Sequence, residues 1–298
     1  MIEENNVESF LDEDFLKKLE KLKVLARKGI KGPFKGEHVS WRSGASLDFL
    51  DYRKYQVGDD FRYIDWNVYG RLDKLFIKLF RAEEDLTIHI LVDMSRSMAA
   101  GNPSKDIYAK KIAAALSYVG LANLDRVGVV SFNNVLGDPH SPERGKKVYL
   151  SLLRYLLTRK PGGKTDLNAC LTEYASTSKR AGIAIILSDL LDPHGFEAGL
   201  DALVHGKFDV TLIQVLDREE ISPTLNGYLA LKDVETGGMK KITIDGTLSA
   251  LYQDKIRNFL EKIRTFCFTR GIDYYLSDTR TPFEDFLIDY LTKGARFH

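Results

Sequence analysis

The sequence predicts an α/β fold, a doubly wound and mainly parallel sheet carrying a small N-terminal helix and β-containing appendage. Three observations carry this. Short aliphatic runs of strand length recur at Leu86–Val92, Arg126–Phe132, Ile183–Leu187 and Phe208–Leu216. Each is near-continuously apolar, as strands buried on both faces are. Helical patterns separate them through the last two-thirds of the chain, the alternation that gives a parallel sheet.

Taken in order, Leu11–Arg27 reads as an amphipathic helix, with Leu11, Phe15, Leu16, Leu19, Leu22, Leu25 and Ala26 forming a stripe between lysines. Gly29 and Gly32-Pro33 end it. Lys31–Tyr55 has no helical period and reads as an extended, irregular segment wrapping a neighbouring domain. Leu75–Phe80 reads as a strand leading to Leu86–Val92. Ser104 is a suitable N-cap for a helix running to Asn123. After Arg126–Phe132, a short strand at Val135–Leu136 turns back through Asn133-Asn134, and Glu143–Thr158 is a leucine-faced helix. Pro161–Asp166 is a tight loop opening the helix Leu167–Ser178. Ile183–Leu187 is followed by a helix at Gly195–Leu203 and the strand Phe208–Leu216. Gly227–Ile244 reads as a β-hairpin turning at Thr236-Gly237-Gly238, an insertion over about 225–245 on the sheet edge. A helix at Leu248–Arg270, a strand at Tyr274–Leu276 and a helix at Pro282–Leu291 complete the chain. The division expected is residues 1–84, packed on a main domain of 85–298.

Bulk properties narrow the function. A net charge of +1, from 43 basic and 42 acidic residues, gives no electrostatic footprint for nucleic acid. Cys170 and Cys267 are far apart, with no CxxC, which fits a reducing compartment and neither a disulfide framework nor a zinc site. The N-terminus is acidic and polar, unlike a signal peptide, and no apolar run reaches the ~18–20 residues of a transmembrane segment. A cytoplasmic protein is expected.

The chemistry concentrates at the ends of strands. Leu86–Val92 runs into Asp93, followed by Ser95 and Ser97. Asp93 then lies at the carboxyl end of a strand, where open α/β sheets place ligands. One carboxylate and two hydroxyls are the oxygen donors that a hard cation such as Mg²⁺ prefers. Two further oxygen ligands should come from loops at the same sheet edge. Thr165, in Gly162-Gly163-Lys164-Thr165-Asp166-Leu167, and Asp189, closing the strand Ile183–Leu187 in Leu187-Ser188-Asp189, stand in the right order.

Simpler readings exist for each. Ser95 and Ser97 would serve equally as N-caps, as would Thr165-Asp166. Lys164-Thr165 suggests a P-loop, but the first glycine of that motif would fall at Thr158, inside a helix. Asp93 as a phosphoryl-accepting nucleophile would require a second Asp where Ser95 stands. His89 reads as a core or interface residue, and His194 as a loop residue bordering the site. No Ser/His/Asp or Cys/His set stands out and no HExxH occurs, so an enzyme is not expected.

Together Asp93-x-Ser95-x-Ser97, Gly-Gly-x-Thr165-Asp-Leu and Leu-Ser-Asp189 resemble the five-ligand metal-ion-dependent adhesion site of von Willebrand factor A domains. The resemblance implies Mg²⁺, or Mn²⁺ or Ca²⁺, bound directly by Ser95 and Ser97. Thr165 would bind directly or through water, while Asp93 and Asp189 hold coordinated waters. The open position would be filled by an Asp or Glu of a protein partner, which makes a switchable binding site.

A second resemblance covers Phe49–Glu84. Arg53-x-Tyr55, Gly58-Asp59-Asp60-x-Arg62-x-Ile64-Asp65-Trp66 and Arg71 are similar to the signature of domain-of-unknown-function family 58. It implies partnership with a MoxR-type AAA+ ATPase. The charges are read as ion pairs and caps fixing the segment, with Arg62–Asp65 the least exposed pair. The resulting expectation is a metal-dependent adaptor. The alternatives are a metal-dependent phosphoesterase using Asp93 and Asp189, or a metal-free vestigial scaffold.

Overall fold

A computed structural model of the protein describes residues 17–22, 47–57, 59–82, 86–223, 227–232, 238–244 and 246–293. The chain forms two compact units, Lys35–Asp85 and, separately, Met1–Phe34 with Leu86–His298. The expected helix Leu11–Arg27 is seen over 17–22; its ends, the start of the irregular segment and the hairpin turn lie outside the described residues.

In the smaller unit, β1 (Leu47–Lys54) pairs antiparallel with β2 (Phe76–Ala82). The sequence reading of an irregular segment missed β1. A register shift between Phe49 and Asp51 explains why, because it breaks the two-residue period by which a strand is recognised. A 3-10 turn (Phe61–Tyr63) and a helix (Trp66–Leu72) connect the strands.

The charge pairing also differs from expectation. Arg62 pairs with Asp60 at 2.6 Å and is exposed. Asp65 is buried and accepts from the backbone N–H of Asn67 at 2.9 Å, that of Val68 at 3.3 Å, and the Tyr52 hydroxyl at 2.8 Å. Standing just before the helix, Asp65 satisfies two otherwise orphaned donors, a role open to it because Asp60 already holds Arg62. Arg53 holds Asp59 at 2.8 Å. Asp59, Asp60, Arg62 and Asp65 thus serve locally, as caps and pairs.

The larger unit contains β3 (Thr87–Asp93), β4 (Arg126–Phe132), β5 (His140–Glu143), β6 (Ile183–Ser188), β7 (Asp209–Leu216), β8 (Gly227–Lys232), β9 (Met239–Ile244) and β10 (Asp273–Asp278). Six form one sheet in the order β10-β7-β6-β3-β4-β5, parallel throughout except for β5 at the edge. The expected α/β architecture with a mainly parallel sheet is therefore present. From β3 the chain winds outward through β4 and β5. It then returns to β6 on the other side of β3, so the winding direction reverses between β3 and β6. That reversal opens a crevice at the carboxyl ends of the two strands.

The strands divide their side chains between two cores. Ile88, Ile90 and Val92 of β3, with Ile183, Ile185 and Leu187 of β6, face a core shared with the helices Lys105–Ala122, Lys146–Thr158 and Phe283–Lys293. Leu19 and Leu22 of residues 17–22 join this core. Beside them Lys18 pairs with Glu284 at 2.9 Å, and the Tyr118 hydroxyl donates to Glu20. Leu91, Ala184 and Ile186 point the other way, toward the helices Leu167–Thr177, Glu197–His205 and Gly246–Arg270. His89 belongs to this second side, as a core residue: its Nδ1 lies 2.7 Å from the Tyr174 hydroxyl and burial pushes its pKa down to about 4.

Several local expectations are refined. The antiparallel edge strand is His140–Glu143, whereas Val135–Leu136 contributes only an isolated bridge from Leu136 to Phe132. Pro142 and the polar residues around it hid a strand that sits at the edge, where a missing N–H is tolerated. The following helix accordingly begins at Lys146. The hairpin β8–β9 is present, but as a separate two-stranded sheet. Ser104 does precede its helix, with its hydroxyl turned to Asp106 at 2.7 Å and not to the backbone.

The approach of β3 and β6 leaves a mark at Gly182, where a Cβ would lie 2.1 Å from the Thr87 carbonyl oxygen. Relief requires the two strand starts to separate, so Gly182→Ala is expected to destabilise by about 3 kcal/mol. Chemical denaturation checks this; a loss under ~0.5 kcal/mol, the range of neutral surface changes, would show the strands are not so constrained.

Candidate functional site

Asp93 is the last residue of β3 and Ser188 the last of β6, so the crevice is walled by these two strand ends. Asp93 is fully buried, and both carboxylate oxygens are engaged. Oδ1 accepts from the Ser95 backbone N–H at 2.8 Å, and Oδ2 from the Ser188 hydroxyl at 2.6 Å. Ser188 in turn accepts from the Leu190 N–H at 3.0 Å. Leu190 is buried in the left-handed region at φ 59°, a conformation costly for a leucine and one that concentrates at functional sites. It directly follows Asp189, whose Oδ1 accepts from the Leu191 N–H at 3.0 Å.

Ser95 and Ser97 bring their hydroxyl oxygens to 3.0 Å of one another. Ser95 does precede the 3-10 turn Arg96–Ala99, but its side chain makes no capping bond, so capping does not account for the hydroxyl. Ser95 is buried, Ser97 half-buried and Arg96 between them exposed, which puts the opening of the crevice on this side.

The glycine loop is stitched to the same turn. Gly162 N–H donates to the Met94 carbonyl at 2.8 Å, and Arg96 N–H to the Gly163 carbonyl at 3.1 Å. Gly163 has φ 77°, which glycine adopts without strain. This delivers Thr165, 4% exposed, whose hydroxyl is buried without a protein hydrogen bond. Capping of the helix belongs to Asp166, which accepts from the Ala169 N–H at 2.9 Å. An orphaned buried hydroxyl costs about 1–3 kcal/mol unless a ligand or water satisfies it. Asp192, not foreseen from sequence, ties this loop to the one after β6. Its Oδ2 accepts from Leu167 N–H at 2.8 Å and its Oδ1 from His194 N–H at 2.8 Å. The exposed His194 ring turns back to Asp192 at 3.1 Å, so His194 serves the loop.

The residue sequence reasoning missed most plainly is Lys105. It is fully buried, and its Nζ lies 2.8 Å from Asp189 Oδ2 and 2.5 Å from Glu220 Oε1. Burial opposes its charge, yet the Asp189 and Glu220 carboxylates hold its pKa above the ordinary lysine range. The Asp93 carboxyl is raised above its ordinary range, first by burial and then by the charge of Asp189, only partly offset by its hydrogen bonds to Ser188 and Ser95. Two acids facing each other out of water call for a cation.

The donor set fits a hard divalent ion. Among the described residues no three His, Cys, Asp or Glu side chains are grouped to hold a metal, and the oxygen donors at this strand edge include hydroxyls. The Ser95–Ser97 pair and the orphaned Thr165 hydroxyl supply them, with Asp93 and Asp189 adjoining. Among the described residues no helix is long and apolar enough to cross a membrane.

Comparison with known proteins adds relatives. Uncharacterized proteins of Mycobacterium tuberculosis and Mycobacterium bovis are each 27% identical over 235 residues, covering 77% of this chain and 74% of theirs. An aerotolerance-related membrane protein from Bacteroides fragilis matches with 16% identity and a TM-score of 0.45, covering 70% of this chain and 99% of that one. BatB from Bacteroides thetaiotaomicron matches with 16% identity and a TM-score of 0.43, covering 70% and 98%. Residues 51–259 match the family described as "Protein of unknown function DUF58", and the chain belongs to that family.

Proposed function

We propose that the chain is a metal-dependent protein-binding module, an adaptor that captures an acidic side chain of a partner through a divalent ion. The observation that carries this reading is the buried pair Asp93 and Asp189 beside three hydroxyls at the switch point of the sheet. Neutral hydroxyls in the inner shell leave the ion short of negative charge, so an incoming carboxylate completes it. Ser95, Ser97 and Thr165 would hold the ion, while Asp93 and Asp189 orient its waters. Both Asp93 oxygens already accept hydrogen bonds from the protein, which disfavours the alternative of a phosphoesterase nucleophile. The family signature supports a MoxR-type AAA+ ATPase as the working partner.

One observation favours a second reading, a metal-free scaffold: Lys105 already supplies a cation to Asp189. The two readings part on chelation. Partner capture by the metal-dependent module is expected to be lost in EDTA and restored by Mg²⁺; capture indifferent to EDTA supports the scaffold.

Metal binding also has a stability signature. A ligand at about 100 times its Kd stabilises by about 2.7 kcal/mol, so saturating Mg²⁺ or Mn²⁺ is expected to raise Tm by on the order of 5–10 °C. Asp93→Ala should abolish that rise; an identical rise in the variant would place the metal elsewhere.

The pH dependence gives a further check. The folded pKa of Asp93 is raised to about 7, so its contribution to stability is present at low pH and lost as pH climbs toward that value. In EDTA at pH 8, Asp93→Asn is therefore expected to melt above the wild type, with the gap closing toward about pH 4. A variant melting below the wild type at pH 8 would show that Asp93 is not a strained charge.

A further inference from the structure

Lys105 opens the helix Lys105–Ala122, a position where a lysine ordinarily reaches solvent, yet its side chain is wholly buried. An ammonium there is tolerable only if well paired. Its two partners belong to different parts of the molecule. Asp189 is a site acid at the end of β6. Glu220 lies on the short helix Arg218–Ile221 after β7, where its Oε2 accepts from the Asp217 N–H at 2.8 Å to close a capping box. The Glu220 carbonyl accepts from the Tyr252 hydroxyl at 2.7 Å, a residue of the long helix Gly246–Arg270.

The local charge is informative. The one ammonium of Lys105 is shared by two carboxylates, the site acid Asp189 and, outside the site, Glu220. It therefore keeps a charged partner if Asp189 is drawn to another cation.

Resting on the metal-site reading above, we propose that Lys105 is a built-in competitor of the metal for Asp189, and that Glu220 receives its ammonium when the metal binds. Without metal, the ammonium neutralises Asp189. With metal, Asp189 turns to the ion's waters and Lys105 relies on Glu220. Occupancy of the crevice is thereby passed to the Arg218–Ile221 helix and, through Tyr252, to the long helix. Lys105 and Glu220 are positioning residues in this scheme, outside the metal's own ligands.

The test is Mn²⁺ affinity of the full chain, read by electron paramagnetic resonance, for the wild type, Lys105→Met and Glu220→Gln. Removing the competing charge is expected to tighten Mn²⁺ binding about tenfold or more. Glu220→Gln leaves the ammonium with Asp189 alone and is expected to weaken binding. Hydrogen exchange should show the 218–221 backbone responding to Mn²⁺ in the wild type and not in Glu220→Gln. A merely structural lysine predicts unchanged or weaker binding in both variants, and that result overturns the proposal. If Lys105→Met does not fold, unchanged affinity in Glu220→Gln overturns it equally. Failure of the wild type and Lys105→Met alike to bind Mn²⁺ overturns the metal reading and this proposal together. Mn²⁺ binding by the wild type at an affinity both variants share overturns the proposal alone.

Discussion

The structure depends on one electrostatic constraint: two carboxylates, Asp93 and Asp189, brought together out of water where the winding of the sheet reverses. The fold makes this unavoidable. β3 and β6 are neighbours whose aliphatic side chains fill both cores, so their ends arrive side by side in register. The residues leaving each strand end are then fixed in space by packing that has nothing to do with ligands. The neighbouring residues divide the resulting work. The Ser95 N–H and Ser188 hydroxyl hold Asp93, Lys105 holds Asp189, and the glycine loop presents Thr165. A site strained in this way lowers the stability of the fold and, in the proposed function, would gain affinity for a cation in return.

The same constraint explains the division between oxygen types. Both acids are committed to protein donors, Asp93 to Ser95 and Ser188, Asp189 to Leu191 and Lys105. Among the hydroxyls, Ser95 and Ser97 lie against each other and that of Thr165 has no protein hydrogen bond. In the proposed site an ion drawn in by the acids would meet neutral ligands, and its residual charge would be turned toward an incoming carboxylate. Exposed Arg96 and half-buried Ser97 would mark the side from which that group arrives.

Much of this is legible in the sequence, for definite reasons. Strands buried on both faces announce themselves as aliphatic runs, and Arg126–Phe132 is readable to the residue. The Asp-x-Ser-x-Ser, Gly-Gly-x-Thr-Asp and Ser-Asp patterns each sit at the end of such a run or at a helix start, so the sheet topology brings them to one edge. The features that stay hidden depend on contacts distant in the chain. Lys105 reads as one more lysine at a helix start, and no local pattern indicates that it reaches Asp189 and Glu220. Asp192 likewise looks like a turn residue until its bond to the Leu167 N–H is seen. In the smaller unit, charge alone directs Asp65 to Arg62, whereas the helix beginning at Trp66 claims it as a cap. The edge strand His140–Glu143 carries a proline, which argues against a strand in every position except the one it occupies.

In the proposed site the crevice between β3 and β6 would hold a divalent ion on hydroxyls, with the two acids outside its inner shell. Anomalous diffraction from crystals grown with Mn²⁺ is the decisive measurement. A peak is expected within coordination distance of the Ser95 and Ser97 hydroxyl oxygens, with Asp93 and Asp189 reached through water. A crevice without that peak, Lys105 still paired with Asp189 at saturating Mn²⁺, would contradict it.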